Sequence, residues 1–251
     1  NTGAHTIVRI NPQTNQVSVV AGQPGTSGDV DGSASEARFN APVGIAVDDE
    51  GTIFIADTYN DRIRAISPEG QVRTIARGRE PGFADSAGSD ARFDTPCGIT
   101  LAKDGSLLVA DTGNRRIRHV TLDGQVTTLV GNISAYERDG TLSSASFNEP
   151  IAIAVRDKDS FFVADAGGAI RFVSLKANGQ TEPFVKTELP DLPHNRPIGL
   201  ALLPGGELAF AESGISTFKI TVSSAEEILD ARAYNTSSGE SIDVPYRSKQ
   251  A

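Results

Sequence analysis

The sequence contains no methionine, no tryptophan and a single cysteine, Cys97. One cysteine excludes an internal disulfide, so the cysteine count gives no sign of an oxidising compartment. No apolar run approaches the roughly 20 residues that a membrane-spanning helix needs. Positive charge is also scarce, because 23 Lys and Arg stand against 32 Asp and Glu, which gives a formal net charge of −9. This balance argues against binding to a nucleic-acid backbone, which requires clustered Lys and Arg.

Glycine and proline are abundant, with 25 and 13 copies among 251 residues, and they favour a fold of short strands and many turns. The chain begins at Asn1 without a basic and apolar signal segment, so we expect a mature or trimmed piece of a longer protein. An extracellular, periplasmic or organelle-lumen location is favoured. Asn132 and Asn235 stand in glycosylation triplets, whose use the sequence leaves open.

A four-part unit recurs along the chain. The segment FNAPVGIAVDDEGTIFIADTYNDRIRAI, residues 39–66, returns as FDTPCGITLAKDGSLLVADTGNRRIRHV, residues 93–120. Each unit holds four short runs of Val, Ile, Leu and Phe between turn residues, a pattern that indicates strands. The units align on four prolines, with spacings of 54, 54 and 47 residues: Pro42, Pro96, Pro150 and Pro197.

Four antiparallel strands repeated about every 40 to 50 residues are typical of a β-propeller blade. The sequence therefore predicts an all-β fold, a β-propeller of four-stranded antiparallel blades. Residues 1–233 are expected to form four complete blades and an N-terminal half blade, which matches the third and fourth strands of a unit. Residues 234–251 are expected to be a C-terminal tail or a closing strand. We expect part of a six-bladed ring, with a five-bladed closure as the second choice.

The segments Asp57 to Ile63 and Asp111 to Ile117, each preceded by Pro-x-Gly-Ile, resemble NHL repeats. The linker Asp-Gly-x4-Ala-Arg-Phe, complete in residues 31–39, is similar to that of long-linker NHL propellers. The resemblance spans roughly residues 5 to 233 and weakens in the last quarter, where Glu212 replaces the aspartate. It implies a propeller that holds a protein partner on one flat face or at the mouth of its central channel.

An aspartate ends the second strand of three units, whereas a catalytic group is normally needed only once. We therefore expect these aspartates to be structural, accepting backbone N–H groups of the following turn and facing the nearby Arg62 or Arg116. The asparagines of the same turns are expected to be turn formers. The expected structural repeat residues are Asp57, Asn60, Arg62, Asp111, Asn114, Arg116 and Asp165.

Familiar catalytic motifs are absent from the sequence. There is no Gly-x-Ser-x-Gly and no phosphate-binding Gly-rich loop, and the three histidines lack metal-ligand spacing. We therefore assign no catalytic residue. Cys97 occupies the same position of its unit as Val43, Ile151 and Ile198, so it is predicted to be a core residue and not a nucleophile.

The residues directly before the four prolines form the candidate site. They precede the innermost strand, so in a propeller they would surround one mouth of the central channel. Oxygen ligands from several blades can hold a cation such as Ca²⁺, and the candidate metal ligands are Asp94, Asn148 and Glu149. Alternatively, Asn and Asp only cap the turn before proline. The candidate ligand- or partner-binding residues are Asn40, Asp94, Asn148, Glu149, Asn195 and Arg196.

Three functions are compatible with this pattern. The first is a non-catalytic scaffold without a cofactor, which binds a protein partner or other domains of the same polypeptide as a module of a larger protein. The alternative is a metal-dependent propeller enzyme, lactonase-like or lyase-like, with a divalent cation at the channel mouth. RNA binding, as in NHL proteins that present a basic face, is disfavoured by the acidic charge balance.

Overall fold

The computed structural model describes residues 1–78, 80–134, 136–176, 183–189, 196–203, 206–212, 215–223, 227–234 and 241–243. The chain divides into two compact units, Asn1–Ile133 and Ser134–Ala251. Within the described ranges the structure is all-β, apart from two short 3-10 helices, η1 (Thr2–Ala4) and η2 (Thr58–Asn60). No described segment is a helix that is long and apolar enough to cross a membrane.

The first unit contains three antiparallel sheets. The first sheet pairs two strands, β1 (Ile7–Ile10) and β2 (Val17–Ala21). Sheet A has the order β3-β7-β6-β5-β4 and consists of β3 (Gly32–Ser33), β4 (Gly44–Val47), β5 (Ile53–Asp57), β6 (Arg62–Ile66) and β7 (Gln71–Arg77). Sheet B repeats that order as β8-β12-β11-β10-β9, with β8 (Ser86–Ala87), β9 (Pro96–Leu101), β10 (Leu107–Asp111), β11 (Arg116–Val120) and β12 (Gln125–Val130).

The second unit contains two further antiparallel sheets. Sheet C has the order β13-β17-β16-β15-β14, with β13 (Gly140–Thr141), β14 (Pro150–Asp157), β15 (Ser160–Asp165), β16 (Ala169–Ser174) and β17 (Phe184–Leu189). Sheet D runs β18-β19-β20-β21-β22, with β18 (Pro197–Leu202), β19 (Glu207–Glu212), β20 (Ile215–Ser223), β21 (Glu227–Tyr234) and β22 (Ser241–Asp243).

Sheets A to D each have one strand more than the four predicted. In sheets A, B and C the extra strand is two residues long and comes from the linker before the inner strand. In sheet A, for example, Gly32 and Ser33 pair with Val72 and Gln71. The predicted strand count is wrong for a physical reason, because the Asp-Gly linker folds back and pairs with the outer edge of its own sheet.

The hydrophobic core of the first unit lies between successive sheets. Side chains alternate between the two faces of a strand, so Ile63 of β6 packs with Leu107 and Val109 of sheet B. Ile66 of the same strand joins a second cluster, which contains Ile7 of β1. In the second unit, aromatic side chains fill the corresponding layer of sheets C and D, among them Phe162, Phe172 and Phe210.

The two inner strands of sheets A and B approach each other very closely. A Cβ atom placed on Gly44 of β4 would lie 2.1 Å from the carbonyl oxygen of Cys97 in β9. Cys97 is only partly buried, and Val43 and Ile198 are half-exposed at the same position of their units. Cys97 is therefore not a fully buried core residue as predicted, and Val43, directly before β4, is exposed.

Candidate functional site

Each of sheets A to D has an end that we call the proline end. There the inner strand begins at the recurring proline or two residues after it, and the turn between the second and third strands lies beside it. The opposite end of sheet B carries tight turns at residues 102–106 and 121–125. The candidate site residues precede the prolines, so the proline end is where they are positioned.

The aspartate that ends the second strand holds the loop before the proline. In sheet A, Oδ1 of Asp57 accepts the backbone N–H of Asn40 at 2.8 Å. Equivalent bonds in sheets B and C are Asp94 N–H to Asp111 at 2.9 Å, Asn148 N–H to Asp165 at 2.9 Å and Glu149 N–H to Asp165 at 2.5 Å. These donors precede the aspartate by 16 or 17 residues. The sequence predicted donors in the turn that follows the aspartate, and in sheet C the Gly167 N–H of that turn also binds Asp165.

The buried partner of this aspartate is the second arginine of the Arg-Ile-Arg motif. Nη1 of Arg64 lies 2.9 Å from Oδ2 of Asp57, and both side chains are fully buried. Arg62 is also largely buried, but its guanidinium pairs with Asp29 at 2.9 Å instead of with Asp57 as the sequence predicted. The equivalent buried pairs are Arg118 with Asp111 at 2.6 Å and Arg171 with Asp165 at 3.6 Å.

Arg116 also departs from its predicted role. Its Nη1 donates to the carbonyl of Asn114 at 2.9 Å, and its guanidinium lies 3.9 Å from the ring centroid of Phe83. The sequence itself indicates that the second arginine, and not the first, is the partner of the strand aspartate. Only the second arginine recurs in sheet C, where Ala169 stands at the position of the first and Arg171 keeps the position of the second.

The buried guanidinium also binds the linker. Nη2 of Arg64 lies 2.6 Å from Asp31 and donates to the carbonyl of Val30 at 2.7 Å, while its guanidinium carbon lies 4.9 Å from the ring centroid of Phe39. Sheets B and C repeat the ion pair as Arg118 with Asp85 at 2.7 Å and Arg171 with Asp139 at 2.8 Å. The linker motif is therefore explained by a clasp, in which one arginine joins the linker aspartate to the strand aspartate.

The turn asparagines strengthen the same clasp. Nδ2 of Asn60 donates to Oδ2 of Asp57 at 2.8 Å and to the carbonyl of Gly28 at 2.6 Å. Asn114 makes the equivalent bonds to Asp111 at 2.9 Å and to Gly82 at 2.7 Å. Each asparagine therefore joins the turn to the linker in addition to shaping the turn.

Burial dominates the electrostatics of the strand aspartates. Loss of solvent raises the pKa of Asp111 to about 6, against the opposing effect of Arg118, the Asp94 N–H and Asn114. Burial likewise raises the pKa of Asp57 and Asp165. These carboxylates are enclosed by their own repeat, so a substrate in solvent cannot reach them.

Asn40 and Asp94, the candidate residues of the first unit, are partly exposed beside these buried ion pairs. Nδ2 of Asn40 donates to the carbonyl of Tyr59 at 3.3 Å. Oδ1 of Asp94 accepts the hydroxyl of Thr95 at 3.2 Å, and its carboxylate lies so close to Gly113 that a Cβ there would be 2.4 Å away. The side chain of Asp94 therefore lies over a turn that only glycine fits without a shift.

The candidate residues of the second unit include an ion pair. Glu149 and Arg196 bind each other through a carboxylate oxygen and Nη2, and both side chains are partly exposed. Asn148 is exposed and lies against Gly167, as Asp94 lies against Gly113. Asn195 lies outside the described residues. The structure therefore brings Glu149 and Arg196 together within this unit.

A cation at Asp94, Asn148 and Glu149 stays a prediction. Among the described residues, no group of three or more His, Cys, Asp and Glu is arranged to hold a metal ion. Glu149 is occupied by Arg196, whose positive charge competes with a cation for the same carboxylate.

A second set of contacts, which the sequence reasoning missed, joins neighbouring sheets in the first unit. Oδ1 of Asp61 accepts the backbone N–H of Thr95 at 2.7 Å, and Nδ1 of His5 accepts that of Ala41 at 3.0 Å. All four residues have a positive φ, between 45° and 57°. We call these bonds the inter-sheet latches. The sequence contains no residue motif for the latches, because His5 and Asp61 have in common only a side-chain acceptor atom. They could have been found only by their equivalent positions in successive repeats.

The segment that forms the clasp of sheet A matches a known protein family. Residues 39–66, which contain the inner strands of sheet A and the Asp57 to Arg64 clasp, match the family model of the NHL repeat. The chain carries an NHL repeat. The resemblance inferred from the sequence is thereby confirmed.

Curated relatives match part of this chain. The chain is 34% identical over 107 residues to SUPPRESSOR OF QUENCHING 1, chloroplastic, of Arabidopsis thaliana, covering 41% of this chain and 10% of that protein. It is 29% identical over 107 residues to human NHL repeat-containing protein 2, covering 41% of this chain and 15% of the relative. Mouse teneurin-4 is 30% identical over 181 residues, covering 61% of this chain and 6% of the relative. The match therefore spans a small share of each relative.

Solved structures share the fold at low sequence identity. Selenomethionine-substituted virginiamycin B lyase from Staphylococcus aureus matches with a TM-score of 0.60 at 15% identity, covering 98% of this chain and 65% of the lyase. A candidate gluconolactonase matches with a TM-score of 0.54 at 17% identity, covering 74% of this chain and 61% of that protein. These likenesses show a propeller-like all-β fold for this chain and carry no activity across.

Proposed function

We propose that this chain is a non-catalytic NHL propeller scaffold that binds a protein partner through the proline ends of its sheets. In this proposal residues 1–233 belong to a six-bladed ring, with a five-bladed ring as the second choice, and residues 234–251 form a tail or a closing strand. The scaffold serves as a module of a larger protein, as the long relatives suggest.

One observation carries the proposal: the recurring strand aspartates and their paired arginines are buried and bind partners within their own repeat. Asp57 and Arg64 are fully buried and bind each other, the linker and the loop before the proline. Sheets B and C repeat this arrangement with Asp111 and Asp165. A catalytic carboxylate must reach its substrate, and these carboxylates contact only their own repeat.

The residues that vary between repeats support the same proposal. Asn40, Asp94 and Asn148 occupy one position, held by the same backbone bond, yet their side chains differ in charge. The next position also varies, and Glu149 there contributes to an exposed ion pair. A fixed frame that presents variable polar side chains suits recognition of a protein surface, where polar and charged groups provide specificity.

The metal-dependent enzyme remains the alternative. The fold it shares with the lyase and the candidate gluconolactonase supports it, but at 15% and 17% identity that support concerns the fold alone. Thermal unfolding with and without CaCl₂ or ZnCl₂ distinguishes the two functions. Stabilisation that disappears in Asp94→Asn and Glu149→Gln variants favours the enzyme.

The scaffold is tested with the purified chain as bait for cross-linking and quantitative mass spectrometry. Charge reversals at the proline end, Asp94→Lys and Glu149→Lys, are matched by Asp123→Lys and Lys103→Glu at the opposite end of sheet B. We expect the proline-end variants to lose a captured partner by about tenfold or more, as hot-spot substitutions do. Equal capture by all variants of unchanged melting temperature overturns the proposal.

A further inference from the structure

The first arginine of the Arg-Ile-Arg motif has a carboxylate partner in sheet A and, among the described residues, none in sheet B. In sheet A, Nη2 of Arg62 lies 2.9 Å from Oδ2 of Asp29, whose side chain is 56% exposed. Asp29 stands two residues before the linker aspartate of its clasp, and Phe83 stands at the same place in the linker of sheet B. Sheet B has therefore lost the acid while it keeps the arginine, Arg116.

Sheet C changes the opposite member of this pair. Its linker keeps an acid, Glu137, but Ala169 stands where the first arginine would be. The carboxylate of Glu137 lies 3.5 Å from Nη1 of Arg171, the arginine of the clasp. Acid and first arginine thus occur together in sheet A, and sheet C lacks the arginine. Among sheets A to C, sheet B alone has the arginine without the acid.

Arg116 keeps N–H donors that no described residue binds. Its Nη1 donates to the carbonyl of Asn114 at 2.9 Å, and its guanidinium carbon lies 3.9 Å from the ring centroid of Phe83. The N–H groups of a guanidinium lie in its plane, so an aromatic ring on one face leaves the other donors available. Within the described part of the chain, Nε and Nη2 of Arg116 have no acceptor, and the side chain is partly exposed.

The surroundings of Arg116 disfavour an unpaired positive charge. Loss of solvent and the charge of Arg118 lower the pKa of Arg116, against the opposing effect of Asp111 and Asp85. Both aspartates already bind Arg118, at 2.6 Å and 2.7 Å. Because a guanidinium stays protonated at ordinary pH, a further carboxylate beside Arg116 would supply a favourable interaction that the repeat itself does not.

Arg116 and Phe83 lie at the proline end of sheet B. Asn114 belongs to the turn at that end, and its Nδ2 donates at 2.7 Å to the carbonyl of Gly82, the residue directly before Phe83. The Phe83 side chain is 45% exposed although it is large and apolar. Arginine and aromatic residues are enriched where proteins bind one another. We call these two residues the Arg116–Phe83 site.

We propose that the Arg116–Phe83 site binds an Asp or Glu side chain of a protein partner, which takes the place that Asp29 holds beside Arg62. This inference rests on the proposed scaffold function and names the chemical group that the partner presents to sheet B. A single carboxylate is expected and not an acidic run, because the chain has a formal net charge of −9 and repels a strongly acidic segment.

The probe is acetyl-Gly-Asp-Val-amide, which copies residues 28–30, and its matched control is acetyl-Gly-Asn-Val-amide. Each peptide is titrated to millimolar concentration into the isotopically labelled 251-residue chain at constant ionic strength, because salt screens exposed charges. The Nε–H resonance of Arg116 is followed by NMR and is assigned by its loss in Arg116→Lys. We expect the Asp peptide to bind about fivefold or more tightly than the Asn peptide, as one exposed ion pair allows. Equal shifts with the two peptides, or no shift with either, overturn the proposal.

Two exchanges of the linker residue test the equivalence of the sheets. Phe83→Asp supplies the missing acid, so Arg116 should no longer respond to the Asp peptide. Asp29→Phe removes the acid of sheet A, so Arg62, which should not respond in the native chain, should respond in this variant. Thermal melting establishes that each variant is folded, and the native chain with its two peptides decides the question if one is not. A response of Arg116 that persists in folded Phe83→Asp contradicts the proposal.

Two further measurements distinguish this inference from its neighbours. A peptide with phosphoserine in place of Asp that binds more than about tenfold tighter would overturn the carboxylate in favour of a phosphate group. In the cross-linking assay of the scaffold, loss of the partner in Asp94→Lys but not in Arg116→Met leaves the scaffold in place and overturns the inference. A selective response of Arg116 to the Asp peptide in a chain that captures no partner supports the carboxylate site and counts against the scaffold.

Discussion

Nη1 of Arg118 lies 2.6 Å from Oδ2 of Asp111, and neither side chain reaches solvent. The same relationship links Arg64 to Asp57 at 2.9 Å. Burying two charges is costly, and the cost is offset only where the geometry is good and the remaining polar groups are satisfied. Here Asp94, Asn114 and Asp85 supply further bonds, whereas Nε of Arg118 is buried without a hydrogen-bond partner. The pair is therefore a structural centre of its repeat, and disrupting it should be severe.

Replacement of Arg118 by Met should lower the free energy of unfolding by about 3–5 kcal/mol, because Asp111 is left as an uncompensated buried charge. Urea unfolding followed by far-UV circular dichroism measures the change. Arg116→Met is the matched control, since Arg116 is only partly buried and binds Asn114 and Phe83. Its loss should cost about 1 kcal/mol or less.

A double variant separates the pair from its surroundings. Asp111→Asn combined with Arg118→Met removes both charges and keeps an amide oxygen to accept the Asp94 N–H. The double variant should be less destabilised than the sum of the single variants, because neither charge is left alone. Simple additivity would show that the two side chains act independently.

The stability of the protein should depend on pH through Asp111. Burial raises the pKa of Asp111 from 3.8 to about 6 in the folded state, so between about pH 4 and 6 the folded protein holds a proton that the unfolded chain has released. The contribution of Asp111 to the free energy of unfolding therefore rises as the pH falls through this window, by up to about 3 kcal/mol.

The pH effect is isolated by comparison with Asp111→Asn, which cannot titrate at this position. Urea unfolding at pH 4.5, 5.5, 6.5 and 7.5 gives the free energy of each protein. We expect the difference between the native protein and the variant to shift in favour of the native protein as the pH falls. A difference that stays flat or shifts the other way contradicts the raised pKa.

The inter-sheet latch at Asp61 should depend on its acceptor oxygen and not on its charge. Asp61→Gly removes the acceptor but keeps the positive φ accessible, so the unfolding free energy should fall by about 1–2 kcal/mol as the Thr95 N–H loses its partner. Asp61→Asn keeps an acceptor oxygen and tolerates the same φ, and should cost about 0.5 kcal/mol or less. Hydrogen exchange of the Thr95 N–H reports the bond directly. Equal exchange rates in the two variants would show that Asp61 does not protect this N–H.

Gly44 should tolerate no side chain, since its Cβ would lie 2.1 Å from the backbone oxygen of Cys97. Gly44→Ala is expected to cost about 2–3 kcal/mol, because backbone of the neighbouring inner strand cannot move aside as a flexible side chain can. Gly3→Ala is the control, as nothing lies within 4 Å of a Cβ there. Its effect should stay within about 0.5 kcal/mol. Equal thermal stability of the two variants would contradict the close approach of β4 and β9.

The strands could be predicted from sequence because their signal is local. Runs such as Ile53–Asp57 combine β-branched residues with turn residues on both sides, and repetition in the next unit shows that the pattern is not accidental. The resemblance to NHL repeats followed from the same local motifs. The fifth strand was missed, since a two-residue strand such as Gly32–Ser33 carries no periodicity.

The clasp and the latches could not be predicted because their signals are not local. Arg62 and Arg64 lie on the same face of β6 and both are buried, so the strand pattern within this sheet alone does not decide which of them pairs with Asp57. The choice depends on the linker, where Asp29 and Asp31 meet the two arginines. In the latches the donors are backbone N–H groups, which leave no mark in the sequence.

The clasp has a further consequence for how this chain can evolve. The side-chain and carbonyl partners of Arg64, namely Asp31, Asp57, Val30 and Arg38, all fall within residues 30–64, a single period of the chain. In the latches between periods the donors are backbone N–H groups, which any residue except proline supplies. A duplicated or deleted period therefore brings or removes a complete clasp at once. Gene duplication can change the number of sheets without the charges of the clasp having to be matched anew.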